Sequence, residues 1–96
     1  MAIQLKLFQS HTIKKTHLVA SSPRKAFYRL RLEFHLGRYV IRKESGTGEK
    51  VLDRRVWMFD SRSIAEKRFG QRVRHKTDPN RKSPRKYRMA DDIWKP

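Results

Sequence analysis

The stretch Ala26–Phe34, with the sequence AFYRLRLEF, sorts its side chains into two sets with a period of two residues. The even-numbered positions from 28 to 34 are apolar, whereas Arg29, Arg31 and Glu33 are charged. Successive residues of a strand point to opposite faces, while a helix would scatter these two sets around its surface. The stretch therefore predicts a β-strand with one face towards a core and the other towards solvent.

Segments on both sides of this strand also predict strands. Gly37 marks a turn after it, so the strand and the next segment form a hairpin. The last part of the predicted strand Val51–Phe59 is apolar on both faces, which indicates that this part lies in the middle of the sheet. The four further predicted strands are Ala2–Phe8, Ile13–Ala20, Arg38–Arg42 and Val51–Phe59.

A helix is predicted to begin at Asp60 and Ser61, because either side chain can accept hydrogen bonds from free backbone N–H groups. Ala65, Phe69 and Val73 recur every four residues and form a narrow apolar stripe. The helix is expected to run to about residue 76, where Thr77-Asp-Pro-Asn80 ends it.

These elements predict an α+β fold with a twisted antiparallel sheet of four or five strands and one helix packed on one face. The 96 residues fit a single domain. We assign the domain to residues 1–78 and expect residues 79–96 to form a basic, irregular and flexible C-terminal tail.

The net charge of the chain limits the classes of ligand that it is expected to bind. Twenty-five Lys and Arg oppose nine Asp and Glu, which gives a formal net charge of +16. A polyanion lying along such a surface relieves its self-repulsion and releases counterions. Nucleic acid is the commonest polyanion, and an acidic protein or an anionic membrane surface are the other candidates. No apolar run approaches the roughly 18 residues of a membrane span, so we predict a cytoplasmic protein without a membrane partner.

Two groups of cations are candidate nucleic-acid contacts. The first flanks the glycine-containing loop between the predicted strands Arg38–Arg42 and Val51–Phe59, and the second lies in the tail, where Tyr87 could stack on an unpaired base. The alternatives are a solvated charge run for the tail and, for Arg29 and Arg31, protection of a sheet edge. The candidates are Arg38, Arg42, Lys43, Lys50, Arg54 and Arg55 beside the loop, and Arg81, Lys82, Arg85, Lys86 and Arg88 in the tail.

The loop Ser45-Gly46-Thr47-Gly48 has two interpretations. Its backbone N–H groups could face a phosphate, or it could be an ordinary hairpin turn. It is not a P-loop, since no Gly-Lys-Ser/Thr sequence and no helix follow it.

Catalytic chemistry has little support in the sequence. The chain has no Cys, its carboxylates are scattered, and its four His residues show no metal-ligand spacing. We predict neither an enzyme nor a cofactor or metal site. A small metal-dependent nuclease is the enzyme class that would compete, and it would need clustered carboxylates.

Several short motifs resemble the WGR domain, in this order along residues 15–78. They are Lys25-Ala-Phe27-Tyr28-Arg-Leu30-Arg-Leu32, then Gly37-Arg-Tyr39-Val40, Trp57-Met-Phe59-Asp60-Ser61, Ala65-Glu66 with Phe69, and Lys76-Thr77. The resemblance implies a twisted antiparallel sheet with one helix and DNA as the ligand. WGR domains occur as short basic bacterial proteins and within DNA-dependent poly(ADP-ribose) polymerases.

The chain departs from this family at the Trp-Gly-Arg triplet that names it. The triplet should fall within Arg42–Gly46, where no Trp is present, and only Gly46 matches. Recognition of DNA ends by a stacked Trp is therefore not implied. We predict a non-catalytic protein that binds nucleic acid through phosphates, with DNA ahead of RNA. The alternative is a module that binds RNA or an acidic protein, and a homo-oligomer stays open.

Overall fold

The computed structural model describes residues 11–21, 23–80 and 86–90. Within these residues, five antiparallel strands form one sheet, and a single helix packs against it. The elements in chain order are β1 (His11–Ala20), β2 (Ala26–His35), β3 (Arg38–Thr47), β4 (Lys50–Phe59), α1 (Arg62–Thr77) and β5 (Tyr87–Met89). The predicted α+β fold is confirmed. The predicted strand Ala2–Phe8 lies outside the described residues.

The alternation of β2 decides which face of the sheet the helix covers. The strand order is β4-β3-β2-β1-β5, so β2 lies at the centre. Its even-numbered residues from Ala26 to Leu32 are buried in one core with Leu18, Ile41, Ala65 and Phe69. Arg29 and Arg31 are exposed on the other face. We call the face packed by α1 the helix face, and the other one the open face.

Helix α1 begins and packs as the sequence predicts. The side chain of Ser61 accepts a hydrogen bond from the backbone N–H of Ile64 and caps the helix. Ala65 and Phe69 are buried, and Val73 packs beside them as part of the predicted stripe. The cations Arg74 and Lys76 occupy the last turn, where they complement the partial negative charge of the helix end.

The hairpin between β3 and β4 is tighter than predicted. The sequence predicts strands that end at Arg42 and begin at Val51, but β3 continues to Thr47, β4 begins at Lys50, and only Gly48 and Glu49 form the turn. The register between β3 and β4 shifts after Ser45, which indicates a β-bulge beside Gly46. The backbone of the opposite strand approaches Gly46 so closely that this position has no room for a side chain.

The prediction that the end of β4 lies in the middle of the sheet is wrong. β4 is an edge strand, and the side chains of Val56 and Met58 are exposed on the open face. Trp57 and Phe59 on the helix face pack against the core. The apolar side chains of Val56 and Met58 therefore do not indicate that β4 lies between two other strands.

The C-terminal segment is more ordered than an irregular tail at the residues the structure describes. β5 pairs with β1, and Tyr87 lies opposite Ala20 with its side chain buried in the core. The N–H of Ala90 donates a hydrogen bond to the carbonyl of His17. Residues 86–90 therefore belong to the folded domain, which was predicted to end at residue 78.

Gly46 and Gly70 should respond in opposite ways to substitution by Ala. A Cβ atom at Gly46 would lie 1.9 Å from the backbone oxygen of Lys50, so G46A should lower the free energy of unfolding by at least about 2 kcal/mol. A Cβ atom at Gly70 would meet only the mobile guanidinium of Arg74, at 3.2 Å, so G70A should be neutral or raise stability by up to about 1 kcal/mol. Urea unfolding of both variants measures the difference, and equal effects would contradict the close approach at Gly46.

Candidate nucleic-acid interface

The cations predicted beside the loop do not form one patch, because strand alternation divides them between the two faces. Cross-strand pairing places Lys43 opposite Arg55 on the helix face, and it places Arg42 and Arg54 on the open face. Lys50 is exposed at the start of β4 beside the turn. The loop residues themselves thus bring together fewer cations than the sequence suggested.

Arg38 lies away from the other predicted cations, at the opposite end of the sheet. It begins β3 immediately after the β2–β3 turn, and its Nε atom is 3.9 Å from an Asp60 carboxylate oxygen. Both side chains are exposed, so this pair adds little to stability. Arg38 is therefore not a member of the loop-side group.

The helix face carries a cluster of cations between α1 and strands β3 and β4. Lys43 donates a hydrogen bond to the carboxylate of Asp53, and the Nε atom of Arg55 is 3.5 Å from the same carboxylate. The guanidinium of Arg72 stacks on the ring of Trp57, 3.6 Å from its centroid. We call the four cations Lys43, Arg55, Arg72 and Lys76, together with the carboxylate of Asp53, the helix-side cluster.

Tyr28 lies under this cluster and links it to the core. The Nζ atom of Lys76 is 4.9 Å from the centroid of the Tyr28 ring, and that of Lys43 is 5.7 Å away. Burial raises the pKa of Tyr28 above its ordinary value, although the nearby Arg72 guanidinium acts in the opposite direction. The hydroxyl therefore stays protonated at neutral pH and contributes no negative charge to offset the cations.

The open face carries the larger set of cations, arranged in rows across the strands. The register places Lys15, Arg31 and Arg42 side by side on β1, β2 and β3. The neighbouring row contains His17, Arg29, Glu44 and Arg54, and Arg88 of β5 lies opposite Val19 on the same face. We call the following set the open-face array: Lys15, Arg29, Arg31, Arg42, Arg54 and Arg88, with the carboxylates of Glu33 and Glu44.

Each carboxylate of the open-face array is shared by two guanidinium groups. Glu33 is 3% exposed; it accepts a hydrogen bond from Nε of Arg42 at 2.5 Å and lies 3.7 Å from Arg31. Two carboxylates cannot neutralise six cations, so the array keeps a net positive charge.

The second carboxylate repeats this arrangement across three strands. Glu44 on β3 accepts a hydrogen bond from Nε of Arg54 on β4 at 2.9 Å. It also lies 3.7 Å from an Nη atom of Arg29 on β2. The arrangement fixes two guanidinium groups relative to each other on the surface of the sheet.

The tail candidates have different outcomes. Arg81, Lys82 and Arg85 lie outside the described residues, while Lys86 and Arg88 are exposed at β5. Tyr87 is buried and its ring packs edge-on against Tyr28 with centroids 6.2 Å apart. The prediction that Tyr87 could stack on an unpaired base is therefore wrong, because the strand turns this ring into the core.

Two contributors to these surfaces were missed in the sequence. Lys15 lies on the open face because the side chains of β1 alternate from Lys14 to Ala20. The sequence contains this alternation, but it does not show which strand lies beside β1. Arg72 follows the stripe residues Ala65 and Phe69 and flanks the stripe towards β4. No local sequence pattern predicts the contact between Arg72 and Trp57, because the two residues are far apart in sequence.

The turn and the potential metal ligands show no prepared ligand site. The N–H of Gly48 donates a hydrogen bond to the carbonyl of Lys25, as in a hairpin turn that packs on the neighbouring turn. Among residues 11–21, 23–80 and 86–90, no group of three or more His, Cys, Asp or Glu side chains could hold a metal ion. No helix in the same residues is long and apolar enough to cross a membrane.

Comparison with known proteins gives no relatives for this chain. No family model, no curated protein and no solved structure matches it. The resemblance to the WGR domain thus stays a prediction that rests on the motifs in the sequence.

Lys43 should control the ionisation of Asp53. The hydrogen bond from Lys43 is the largest cause that lowers the pKa of Asp53 below its ordinary value. A carboxylate with a lowered pKa stabilises the fold above its unfolded-state pKa, and this contribution is lost as the pH falls through the lowered value. Lys43→Met should raise the pKa of Asp53, as measured by an NMR titration of its carboxylate carbon.

The matched control is Arg54→Met, which removes a cation from the residue next to Asp53 but on the open face. This variant should leave the pKa of Asp53 unchanged. A similar rise in both variants would show that general charge, and not the hydrogen bond from Lys43, sets the ionisation.

Proposed function

We propose that this chain is a non-catalytic nucleic-acid-binding protein that contacts the phosphates of DNA with its open-face array. The observation that carries the proposal is the row of Lys15, Arg31 and Arg42, which are directly opposite one another on three adjacent strands. Neighbouring strands are about 4.8 Å apart, and like charges at directly opposite positions are destabilising. A bound polyanion would relieve this repulsion.

The carboxylates of the array do not remove this need. Glu33 is the acid closest to the row, and it is already shared by Arg31 and Arg42. Lys15 has no carboxylate within ion-pair distance among the described residues. The phosphates of a nucleic acid could occupy this positive surface and release counterions, which gives affinity without dependence on base sequence.

The helix-side cluster supports the same function from the other side of β4. Lys43 and Arg55 share the single carboxylate of Asp53, so this cluster also keeps an excess of positive charge. Arg54 and Arg55 are consecutive and lie on opposite faces of the edge strand. A nucleic acid that follows the β4 edge could contact both surfaces.

The engaged carboxylates also support a non-catalytic role. Glu33 and Glu44 are each held between two guanidinium groups, and Asp53 is held by Lys43 and Arg55. Metal-dependent nucleases need carboxylates that are available to bind a cation. Incubation with DNA and Mg²⁺ or Mn²⁺ tests this part of the proposal, which nucleolytic cleavage would refute.

The resemblance to the WGR domain is the reason to place DNA ahead of RNA. It does not extend to end recognition, because Arg42–Gly46 contains no Trp and Gly46 lies beside a bulge. We therefore propose binding along the backbone of DNA and not to a stacked terminus.

One observation favours the second candidate, a module that binds an acidic protein. Val56 and Met58 are exposed beside Arg54 on the edge strand, and exposed apolar side chains next to cations suit a protein partner. RNA is the remaining alternative, because its phosphates carry the same charge. Competition of labelled duplex DNA with structured RNA and with an acidic protein such as a polyglutamate-rich domain would rank the three ligands.

Neutralising part of the open-face array should reduce the salt dependence of binding. The variant K15Q/R31Q/R54Q removes three cations but leaves Arg42 on Glu33 and Arg29 on Glu44. Loss of three phosphate contacts should reduce the slope of log K against log salt by about 2.7 for duplex DNA. Fluorescence anisotropy over a salt series measures the slope.

A control variant, K67Q/R68Q/R74Q, removes the same charge from exposed positions of α1. Its slope should change by less than about 1, because the helix packs on the opposite face of the sheet. Equal slopes for the two variants would mean that net charge alone, and not the open-face array, determines binding. Absence of binding to duplex DNA at 50 mM salt would refute the proposed function itself.

The tail cations should contribute to affinity without base preference. Neutralising Arg81, Lys82, Arg85 and Lys86 together should weaken binding to unrelated DNA sequences to a similar extent, because phosphate contacts carry no sequence information. Binding of several duplexes of equal length measures this effect. Weakening confined to one sequence would show that the tail contacts bases.

A further inference from the structure

The aromatic side chains are distributed unequally between the two faces of the sheet. Tyr28, Tyr39, Trp57, Phe59 and Tyr87 all belong to the helix-face core or pack against it. The guanidinium of Arg72 covers one face of the Trp57 ring. Among the described residues, Phe34 is the one large ring on the helix side that is exposed, at 40%, and it packs against Tyr39 with ring centroids 5.0 Å apart. The other large rings on this side are at least partly buried against protein atoms.

The open face offers no free ring among the residues that the structure describes. Phe27 is buried there, with the guanidinium of Arg29 over its ring at 4.5 Å from the centroid. His17 meets the same ring edge-on at 6.2 Å. The open face is thus a charged surface without a stacking platform.

From this distribution we infer that the open-face array binds the backbone of double-stranded DNA and makes no stacking contact with bases. The inference rests on the proposed function and defines its ligand more narrowly. Proteins that hold single strands without sequence preference combine a basic groove with exposed aromatic rings. This face has the cations of such a site but lacks the rings.

A double helix is the better ligand for a surface that uses charge alone. Duplex DNA carries one negative charge per about 1.7 Å of its axis, whereas a single strand carries about half that density. The cations of the array are spread over all five strands of the sheet, so they form a broad surface and not a narrow channel. A broad array gains more contacts from two phosphate strands than from one.

The ion pairs of the array also prepare two arginines for phosphate. Arg42 and Arg54 each donate from Nε to a glutamate, which leaves their terminal Nη groups without another acceptor in the described part of the chain. Guanidinium groups bind phosphate through pairs of N–H groups. Glu33 and Glu44 therefore act as positioning residues that hold the two arginines for the backbone.

The test compares DNA ligands of equal length that differ in their bases. Fluorescence anisotropy at 0.1 M salt is measured with a 20-base-pair duplex, the single strand, and a single strand in which the central ten positions are abasic. Stacking contributes about fivefold or more in affinity per base where it occurs. Without it, the abasic strand should bind within about twofold of the intact strand, and the duplex should bind at least about tenfold more tightly than either.

The outcomes separate this inference from the proposed function. A single strand that binds as tightly as the duplex, or that loses affinity when its bases are removed, would overturn the inference while DNA binding stands. Failure to bind any of the three ligands would refute the proposed function.

The positioning role of the two glutamates has its own readout. Glu44→Gln keeps the shape of the side chain and removes its negative charge, so a purely electrostatic effect would strengthen DNA binding. If Glu44 positions Arg54, the variant should instead bind no tighter than the wild type, and the further loss on adding Arg54→Gln should be smaller than in the wild-type background. Tighter binding by E44Q, with an undiminished effect of R54Q, would overturn the positioning role.

Discussion

The two-residue alternation of β2 is the constraint on which both the core and the charged surface depend. Because β2 lies at the centre of the sheet, its side chains have neighbouring strands on both sides. The apolar set packs under α1, and this burial is the main source of stability for such a small domain. The charged set is then placed on the opposite face with the cations of β1 and β3, even though these like charges repel one another.

The same alternation explains why the protein tolerates a dense array of like charges. Glu33 is buried on the charged face, and breaking its contacts with both arginines would leave a buried carboxylate without a partner. Glu44 joins β2, β3 and β4 in the neighbouring row. The two carboxylates offset part of the repulsion within the sheet, and the remaining positive charge is available to a ligand.

The sequence predicts the elements of this fold well and their neighbours less well. Strong alternation in β2, the cap at Ser61 and the stripe from Ala65 to Val73 are local signals, and the structure confirms all three. The edge position of β4 and the pairing of β5 with β1 depend on contacts between distant residues. An apolar pattern on two faces could not distinguish a central strand from an edge strand that exposes Val56 and Met58. The same limit applies to the candidate site. The sequence contains each cation, but it does not give the strand register that places Lys15 beside Arg31 and Arg42.

The edge strand β4 has a further consequence under the proposed function. Among the described strands, β4 has no neighbour on its outer side, and proteins commonly protect such edges with charged side chains. Arg54 and Arg55 supply that protection on both faces of β4. A polyanion that neutralises them also removes the electrostatic barrier between the edges of neighbouring copies. If the proposed DNA binding holds, crowding along one DNA molecule would therefore raise the local concentration of edges that can pair, and it would do so only where DNA is bound.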